Sequence, residues 1–595
     1  MHARLLASLL VFGAVACTGQ VDELQALTTS RQGGSGSDPE GDGSGGSGSR
    51  RAGGHVLRID TSSTQPYAGE TATTWDVRGR VTASEGIGAL QVAGRTVTPA
   101  ASGEFSTSVP IRAGLNLVEI TATDRASPAH ARKGHRVLLS SNYIAEGALN
   151  PRAAALVLTD AILSSMVAPL AGRVASIDIA SEIMRRRTLT DDDCVTRPTG
   201  ARHGRPTLAL RVTPEGALRL EVVVPGLRVD FAGTCSNFFL GTVNVRGNMT
   251  TDVVLATVLS APPSDNCVVG LQHGPPSVEL RGFDLDVSGG SSLLEMLAIA
   301  IVSEMREGNT AEALEAEMTA EASALLDSEL RELTVFDAGS TLTLFDVPLR
   351  VGLCMTGLVS EGGVLRAYVG ARVQGPGGRD EAPGAPALRG ELPPPAPGAL
   401  WLDANLVGQL LFGAWRAGAL SRPDAQQIDG SLLALLAPSL RSHLPSGSRV
   451  DVSIEGELAP FVRAAEPPAA DATAGEPAAD LIVGLGDLQL ILSGGDRELF
   501  RIGTLLELHL DLVPVEGGLK PEVTDVQARA WVLDEPVADV DDEVLEEAVT
   551  LQIRDAAASL LGDAVITLPD IGGVALQAAE VRAEPGGRYV RVTLR

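Results

Sequence analysis

The chain has 595 residues, 44% of them apolar but only 3% aromatic, so its cores must be built mostly of Leu, Val, Ala and Ile. The formal net charge of −27 argues against a nucleic-acid or polyanion partner, because no basic stripe exists to release counterions. Among 47 basic residues only Lys133 and Lys520 are lysines, a compositional bias that says little about function.

The chain opens with His2 and Arg4, followed by an apolar run over residues 5–16. That run is too short to span a bilayer but suits the apolar region of a signal peptide, residues 1–16. It ends Ala14-Val15-Ala16-Cys17, which resembles a bacterial lipobox, with Ala14 where the pattern prefers Leu. The resemblance implies a lipoprotein with a lipid anchor on Cys17 and, from Thr18 after it, transit to the outer membrane of the bacterial cell envelope, periplasmic or surface-facing. The alternative is an ordinary cleaved leader with Cys17 incidental. No other segment offers the 18 or so uninterrupted apolar residues of a membrane-spanning helix, so the membrane would be reached through the lipid alone.

Residues 17–54 read as a tether, since 31–54 are almost wholly Gly, Ser and charge and cannot bury enough apolar area to order themselves. The motif Gly41-Asp42-Gly43-Ser44-Gly45-Gly46 looks like a serine-protease loop, but a flexible linker supplies no positioned base. Residues 55–140 read as short strands between turns, with Val77, Val81, Leu90, Val92 and Val97 at apolar positions, then Phe105 and Val109, then Leu115, Leu117, Val118 and Ile120. Regular strands at this spacing predict an all-β sandwich. The pattern is similar to bacterial immunoglobulin-like modules, which implies a spacer.

Residues 150–345 form the next unit. A helix is expected over 151–171, with Pro151 at its first position and Leu163 and Met166 on its apolar surface. Period-two strands follow, through Leu208, Leu210 and Val212, then Leu218, Leu220, Val222 and Val224, then Leu227, Val229 and Phe231, with a further strand from Val243 to Val258. Val278, Leu280, Leu285 and Val287 face one side, and Glu279, Arg281, Asp284 and Asp286 the other. A long amphipathic helix is predicted to close the unit, with Leu293, Leu297, Ile301 and Met305 on one stripe and Leu314, Met318, Leu325 and Leu333 on another after Gly308.

After residues 346–399, read as a central sheet and linker, the plan repeats over 400–562. A helix apolar nearly all round is expected from Leu400 to Trp415, carrying Leu406, Leu410 and Phe412. Strands follow around Val450–Glu455, Asp480–Leu492 (with Leu490), Leu505–Leu512 (with Leu508) and Arg529–Leu533, then a helix over 540–561 with Val549. Residues 563–595 read as strands returning to the central sheet. Four cysteines remain besides Cys17: Cys194, Cys235, Cys267 and Cys354. In an oxidising compartment they suggest two disulfides with three pairings open, and no C-x-x-C spacing points to zinc.

The segment Leu400-Trp401-Leu402-Asp403-Ala404-Asn405-Leu406-Val407-Gly408-Gln409-Leu410-Leu411-Phe412-Gly413-Ala414-Trp415 resembles the helix opening the C-terminal barrel of the bactericidal/permeability-increasing and lipopolysaccharide-binding protein family, which includes cholesteryl-ester transfer proteins. The ending Leu568-Pro569-Asp570-Ile571-Gly572-Gly573-Val574-Ala575-Leu576 resembles that family's terminal strand. The resemblance spans residues 150–595. It implies an α+β fold: two elongated barrels, each a twisted antiparallel sheet around a long helix, joined by a central sheet. It also implies apolar tunnels for acyl chains, lined here by Leu163, Met166, Leu220, Val222, Leu297, Ile301, Leu406, Leu410, Phe412, Leu490, Leu508 and Val549. The competing reading is a core that is simply full.

The sequence departs from the family in two ways. The family disulfide reaches the long helix of the first barrel, and residues 291–333 hold no cysteine; chain order then favours Cys194 with Cys235 and Cys267 with Cys354. The basic tip of the endotoxin-binding members is also missing from this acidic chain. The expected function is lipid binding or transfer by a membrane-anchored lipoprotein, with lipid as partner, no cofactor and no metal; the alternative is a structural or adhesive surface lipoprotein without cargo. No enzyme is expected, since neither H-E-x-x-H nor G-x-S-x-G occurs and Asp191-Asp192-Asp193 reads as a solvated loop.

Overall fold

The structure, a computed structural model, describes residues 57–61, 65–160, 162–164, 174–175, 179–185, 189–191, 194–237, 241–267, 271–288, 315–316, 319, 338–345, 347–361, 363–429, 449–466, 479–494, 497–516, 518–534, 566–567, 570–571, 574–575 and 577–594. These are mostly β-sheet, where an α+β fold was expected. The long helix expected over 291–333, apart from residues 315, 316 and 319, and the helix over 540–561 lie outside the described residues, as does Cys17.

Strands β1 (Leu57–Asp60), β2 (Tyr67–Gly69), β3 (Thr74–Ala83), β4 (Ile87–Val92), β5 (Arg95–Thr96), β6 (Glu104–Pro110), β7 (Gly114–Asp124) and β8 (Ala131–Ile144) make a two-sheet sandwich. One sheet runs β1-β3-β6 and the other β2-β8-β7-β4-β5. Period-two alternation turns Val77, Val81, Leu90, Val92, Phe105 and Ile120 into the shared core.

β9 (Leu149–Leu158) follows at once and corrects the start of the helix expected over 151–171, of which residues 165–171 lie outside the described ones. A short apolar run fits a strand buried on both faces as well as it fits a helix. Here Ala154, Leu156 and Leu158 go to one core and Ala155 and Val157 to another, on opposite faces. Helical backbone resumes only around Ile162–Ser164, where the Thr159 carbonyl accepts from the Leu163 N–H. Next come helix α1 (Ile179–Arg185) and strands β10 (Leu189–Asp191), β11 (Cys194–Arg202), β12 (Thr207–Val212), β13 (Leu218–Asn237), β14 (Gly241–Ser260), β15 (Gln272–His273) and β16 (Ser277–Ser288). β13 and β14, 20 residues each, form the long axis of this first sheet.

The central sheet adds β17 (Ala338–Leu344), β18 (Val347–Glu361) and β19 (Val364–Gln374); after β20 (Ala385–Ala387), a strand on the edge of β8, it takes in β21 (Ala399–Asp403). β21 corrects the start of the helix expected at Leu400, since helix α2 covers only Ala404–Arg416. Asp403 is the reason. Its carboxylate accepts from the Asn405 N–H and caps α2. The second sheet contains β22 (Ser421–Asp429), β23 (Arg449–Gly456), β24 (Phe461–Ala464), β25 (Leu481–Gly494), β26 (Arg497–Val515), β27 (Gly518–Asp534) and β28 (Ile566–Thr567). β29 (Asp570–Ile571) and β30 (Val574–Ala575) pair with each other, and β31 (Ala578–Ala583) and β32 (Tyr589–Leu594) complete the central sheet in the order β17-β18-β19-β9-β21-β32-β31.

This order is an internal repeat. β9 and β21 pair antiparallel through Ala155 and Trp401, and each carries a hairpin on its outer side, β18–β19 or β31–β32. In both long sheets the strand position beside a bulged strand is split in two at the bulge: β11 and β12 along β13 at Val224/Leu227, and β23 and β24 along β25 at Leu485/Leu488. One apolar core runs through all three sheets, from Leu218 and Leu259 through Leu156, Val369, Leu400 and Val592 to Leu481, Leu510 and Leu519. Buried Asp403 ties this centre together. It takes Arg588 Nη2 at 2.9 Å and Asn150 Nδ2 at 3.0 Å, and burial pushes its carboxyl above the ordinary range against their opposing pull.

Cys267 and Cys354 are joined in a disulfide that holds the loop after β14 to β18. Cys194 and Cys235 are directly opposed in the β11–β13 register; their side chains lie outside the described ones.

The sandwich is docked on the second sheet. Leu115, Leu117 and Val137 pack with Leu458, Leu505 and Trp531. Gly484 and Gly486 leave the necessary room: a Cβ on either would come within 2.7 Å of the Leu115 side chain. The His135 ring lies 4.8 Å from that of Trp531, and the Arg136 guanidinium is 3.6 Å from Asp487.

Candidate functional site

The long sheets expose the chemistry of their inner faces through register. In the first, Leu208 opposes Val222, which opposes Leu255, which opposes Val278. Directly opposed residues in antiparallel strands share a face, so these four form one aliphatic row across the sheet. Val224, Val253 and Leu280 form the next row, and Val229, Met249 and Leu285 lie beyond the bulge. Pro225-Gly226 makes that bulge, with Gly226 at φ 58° and its N–H donated to Asp252 Oδ1 at 2.7 Å. The extra residue shifts the phase by one, so Leu227 and Val229 keep facing the same side as Leu220 and Val222.

Packing along this face is uneven. Leu218 and Leu259 are buried in the central core at one end, and Val229, Met249 and Val253 are buried together towards the other. Between them Leu210, Leu220, Val222 and Leu255 are only partly buried. In the second sheet Leu508, Leu485 and Val523 are likewise partly buried, beside buried Leu506, Leu510 and Val526. Outward from the first sheet, by contrast, the face is charged and wet: Arg219, Glu279 and Arg281 are 46%, 59% and 50% exposed.

The expected lining residues separate on this basis. Leu220, Val222 and Leu508 lie on the aliphatic faces just described, and Leu490 is partly buried on β25, opposite Ile454 and Ile502. Leu163, Leu406 and Leu410 are built into the continuous central core, at 0%, 8% and 5% exposure. Phe412 departs from the expected lining, because it leaves α2 on another side and packs with Trp415, Ala385 and Ala459. A helix buried all round presents its apolar residues to several cores at once, so one list could not assign them to a single slot. Met166, Leu297, Ile301 and Val549 lie outside the described residues. Leu210, Leu255, Leu280, Leu485 and Val523 share the partly buried faces and were not singled out. Their signal was alternation, but which strand lies beside which is not written in it.

A cavity of about 120 Å³ lies on the opposite face of the central sheet, beside Arg152, Ser264, Asp265, Thr356 and Tyr368. It is polar-walled and well below the size that holds a drug-sized ligand, roughly 300 Å³ or more. Among the described residues no group of three or more His, Cys, Asp or Glu could hold a metal ion, and no helix is long and apolar enough to cross a membrane.

No family model and no curated protein matches the chain. Among solved structures it is similar to a crystal structure of lipopolysaccharide binding protein, with 11% identity and a TM-score of 0.39 over 76% of this chain and 99% of that one. It is also similar to P47 of Clostridium botulinum E1, with 8% identity and a TM-score of 0.24 over 75% and 99%.

Proposed function

We propose that the chain binds lipids by their acyl chains, held against the inner faces of its two long sheets. The observation that carries this reading is the aliphatic patch of Leu210, Leu220, Val222 and Leu255, left partly open between two buried clusters. A filled core would bury such a patch to the level of its neighbours; left open, it loses on the order of 25 cal/mol for each Å2 it could bury. An acyl chain supplies the missing contacts and asks for no hydrogen-bond partner. Lipid anchorage at Cys17 would hold this body at a bacterial envelope membrane, and transfer, storage and sensing are all compatible with it. No cofactor, metal or catalytic residue enters the proposal.

The test is uptake of a fluorescent phosphatidylcholine by the purified full chain, with native mass spectrometry to count bound lipids. One or two lipids per chain are expected, and Leu220→Trp should lower uptake severalfold while the far-ultraviolet dichroism and the urea midpoint stay native. A protein that remains bare and refuses the probe would sink the reading.

A further inference from the structure

We infer that the two slots differ in exchange: the sandwich locks the wall of the second, so lipid enters and leaves mainly through the first. This rests on the acyl-chain reading above and adds which slot turns over.

A slot walled by a sheet admits an acyl chain only when the wall gives, and walls give where few packed contacts must be broken. The backs of the two sheets differ in this respect. Behind the first the outermost side chains are charged and wet, Arg219, Glu279 and Arg281 being about half exposed beside the buried Val254 and Ala256. Exposed charges do not resist bending, since solvent screens them and follows their movement.

Behind the second sheet lies the sandwich. Leu115 sits over Gly484 and Gly486 so closely that neither position has space for a methyl group. Val137 and Leu115 share a core with Trp531 and Leu505, and Trp531 is 3% exposed. Polar ties fix the register: Arg132 Nη2 donates to the Leu533 carbonyl at 3.4 Å, and Arg136 faces Asp487 at 3.6 Å. Asp487 is part of the bulge that bends the second sheet, and it holds φ 49°. The sandwich therefore grips the second wall at its bend. It is held on its other side too, where β20 pairs with the end of β8 and the Ser141 hydroxyl donates to the Ala387 carbonyl at 2.9 Å. Opening this wall means breaking that docking; opening the first wall does not.

The experiment loads the full chain with fluorescent phosphatidylcholine and chases it with unlabelled phosphatidylcholine vesicles. Two release phases are expected, about tenfold apart in rate, which corresponds to about 1.4 kcal/mol of additional opening cost. Leu220→Trp should remove amplitude from the fast phase and Leu508→Trp from the slow one. Undocking by Leu115→Asp should bring the slow phase towards the fast. Gly486→Ala should do the same more mildly, since its Cβ meets side-chain ends of Leu115, Leu458 and Val137 and no backbone. Hydrogen exchange over β26 and β27 reports the loosened wall in either variant. A single release phase overturns the inference, as does a slow phase that keeps its rate once those strands exchange faster. A chain that takes up no labelled lipid overturns the acyl-chain reading itself, and this inference with it.

Discussion

Asp480 shows how a single carboxyl can set a pH dependence. It sits at the start of β25 and accepts from the Leu512 N–H at 2.9 Å, but burial, with Asp511 beside it, pushes its pKa up to about 6. An unfolded Asp titrates near 3.9. The folded state thus binds the proton more tightly than the unfolded one, so this contribution is fully present below about pH 4 and is lost as pH rises through about 6. Asp480→Asn keeps an acceptor for Leu512 and removes the charge. Urea unfolding followed between about pH 4 and pH 7 should show the loss of stability shrink in the variant and its midpoint at the upper end rise. A pH profile identical to that of the parent chain would contradict this account.

At the scale of elements, the disulfide between Cys267 and Cys354 connects residues 87 apart and fastens the loop after β14, where the Ala261 carbonyl accepts from the Leu358 N–H, onto the central sheet. Closing a loop of that length removes about 4.6 kcal/mol of chain entropy from the unfolded state. Cys267→Ser should therefore lower unfolding stability by about 2–4 kcal/mol, and reductant should destabilise the parent by more than it destabilises the variant. An unchanged urea midpoint would show that the loop is held by its other contacts. Elements also divide what the sequence displays from what it hides. Leu220, Val222 and Leu227 are legible as one face because the Pro225-Gly226 pair announces the bulge that changes their phase. The run from Ala153 to Leu158 is not legible as a strand, because residues buried on both faces lose the alternation that separates strand from helix. The candidate site is half visible for the same reason: alternation marks Val222 and Leu508 as inward, but only the pairing reveals Leu255 and Val526 directly opposite them.

For the whole molecule, the surfaces that join its parts decide how it unfolds. A chain of this length ordinarily melts domain by domain, and a sandwich that follows a glycine-rich stretch of sequence would be the first candidate for independence. The interface argues otherwise. Trp531, Leu458 and Val137 are as buried as residues of a domain core, and Leu115 fills a place that the second sheet has cleared with two glycines. If the sandwich left, Trp531, Leu505 and Leu533 would face water, at about 1.5–3 kcal/mol for each large side chain exposed. The central core adds a second continuous connection, from Leu218 in the first sheet to Leu519 in the second. Scanning calorimetry of the full chain should show the sandwich and the second sheet melting in one transition. Limited proteolysis should release no stable fragment cut between β8 and β9, even though these strands are joined by a surface turn at Gly147. A separate, earlier transition that Leu115→Asp leaves in place would mean that the docking contributes little. If instead the transition splits only in that variant, the docked face is what makes the sandwich and the second sheet one cooperative body.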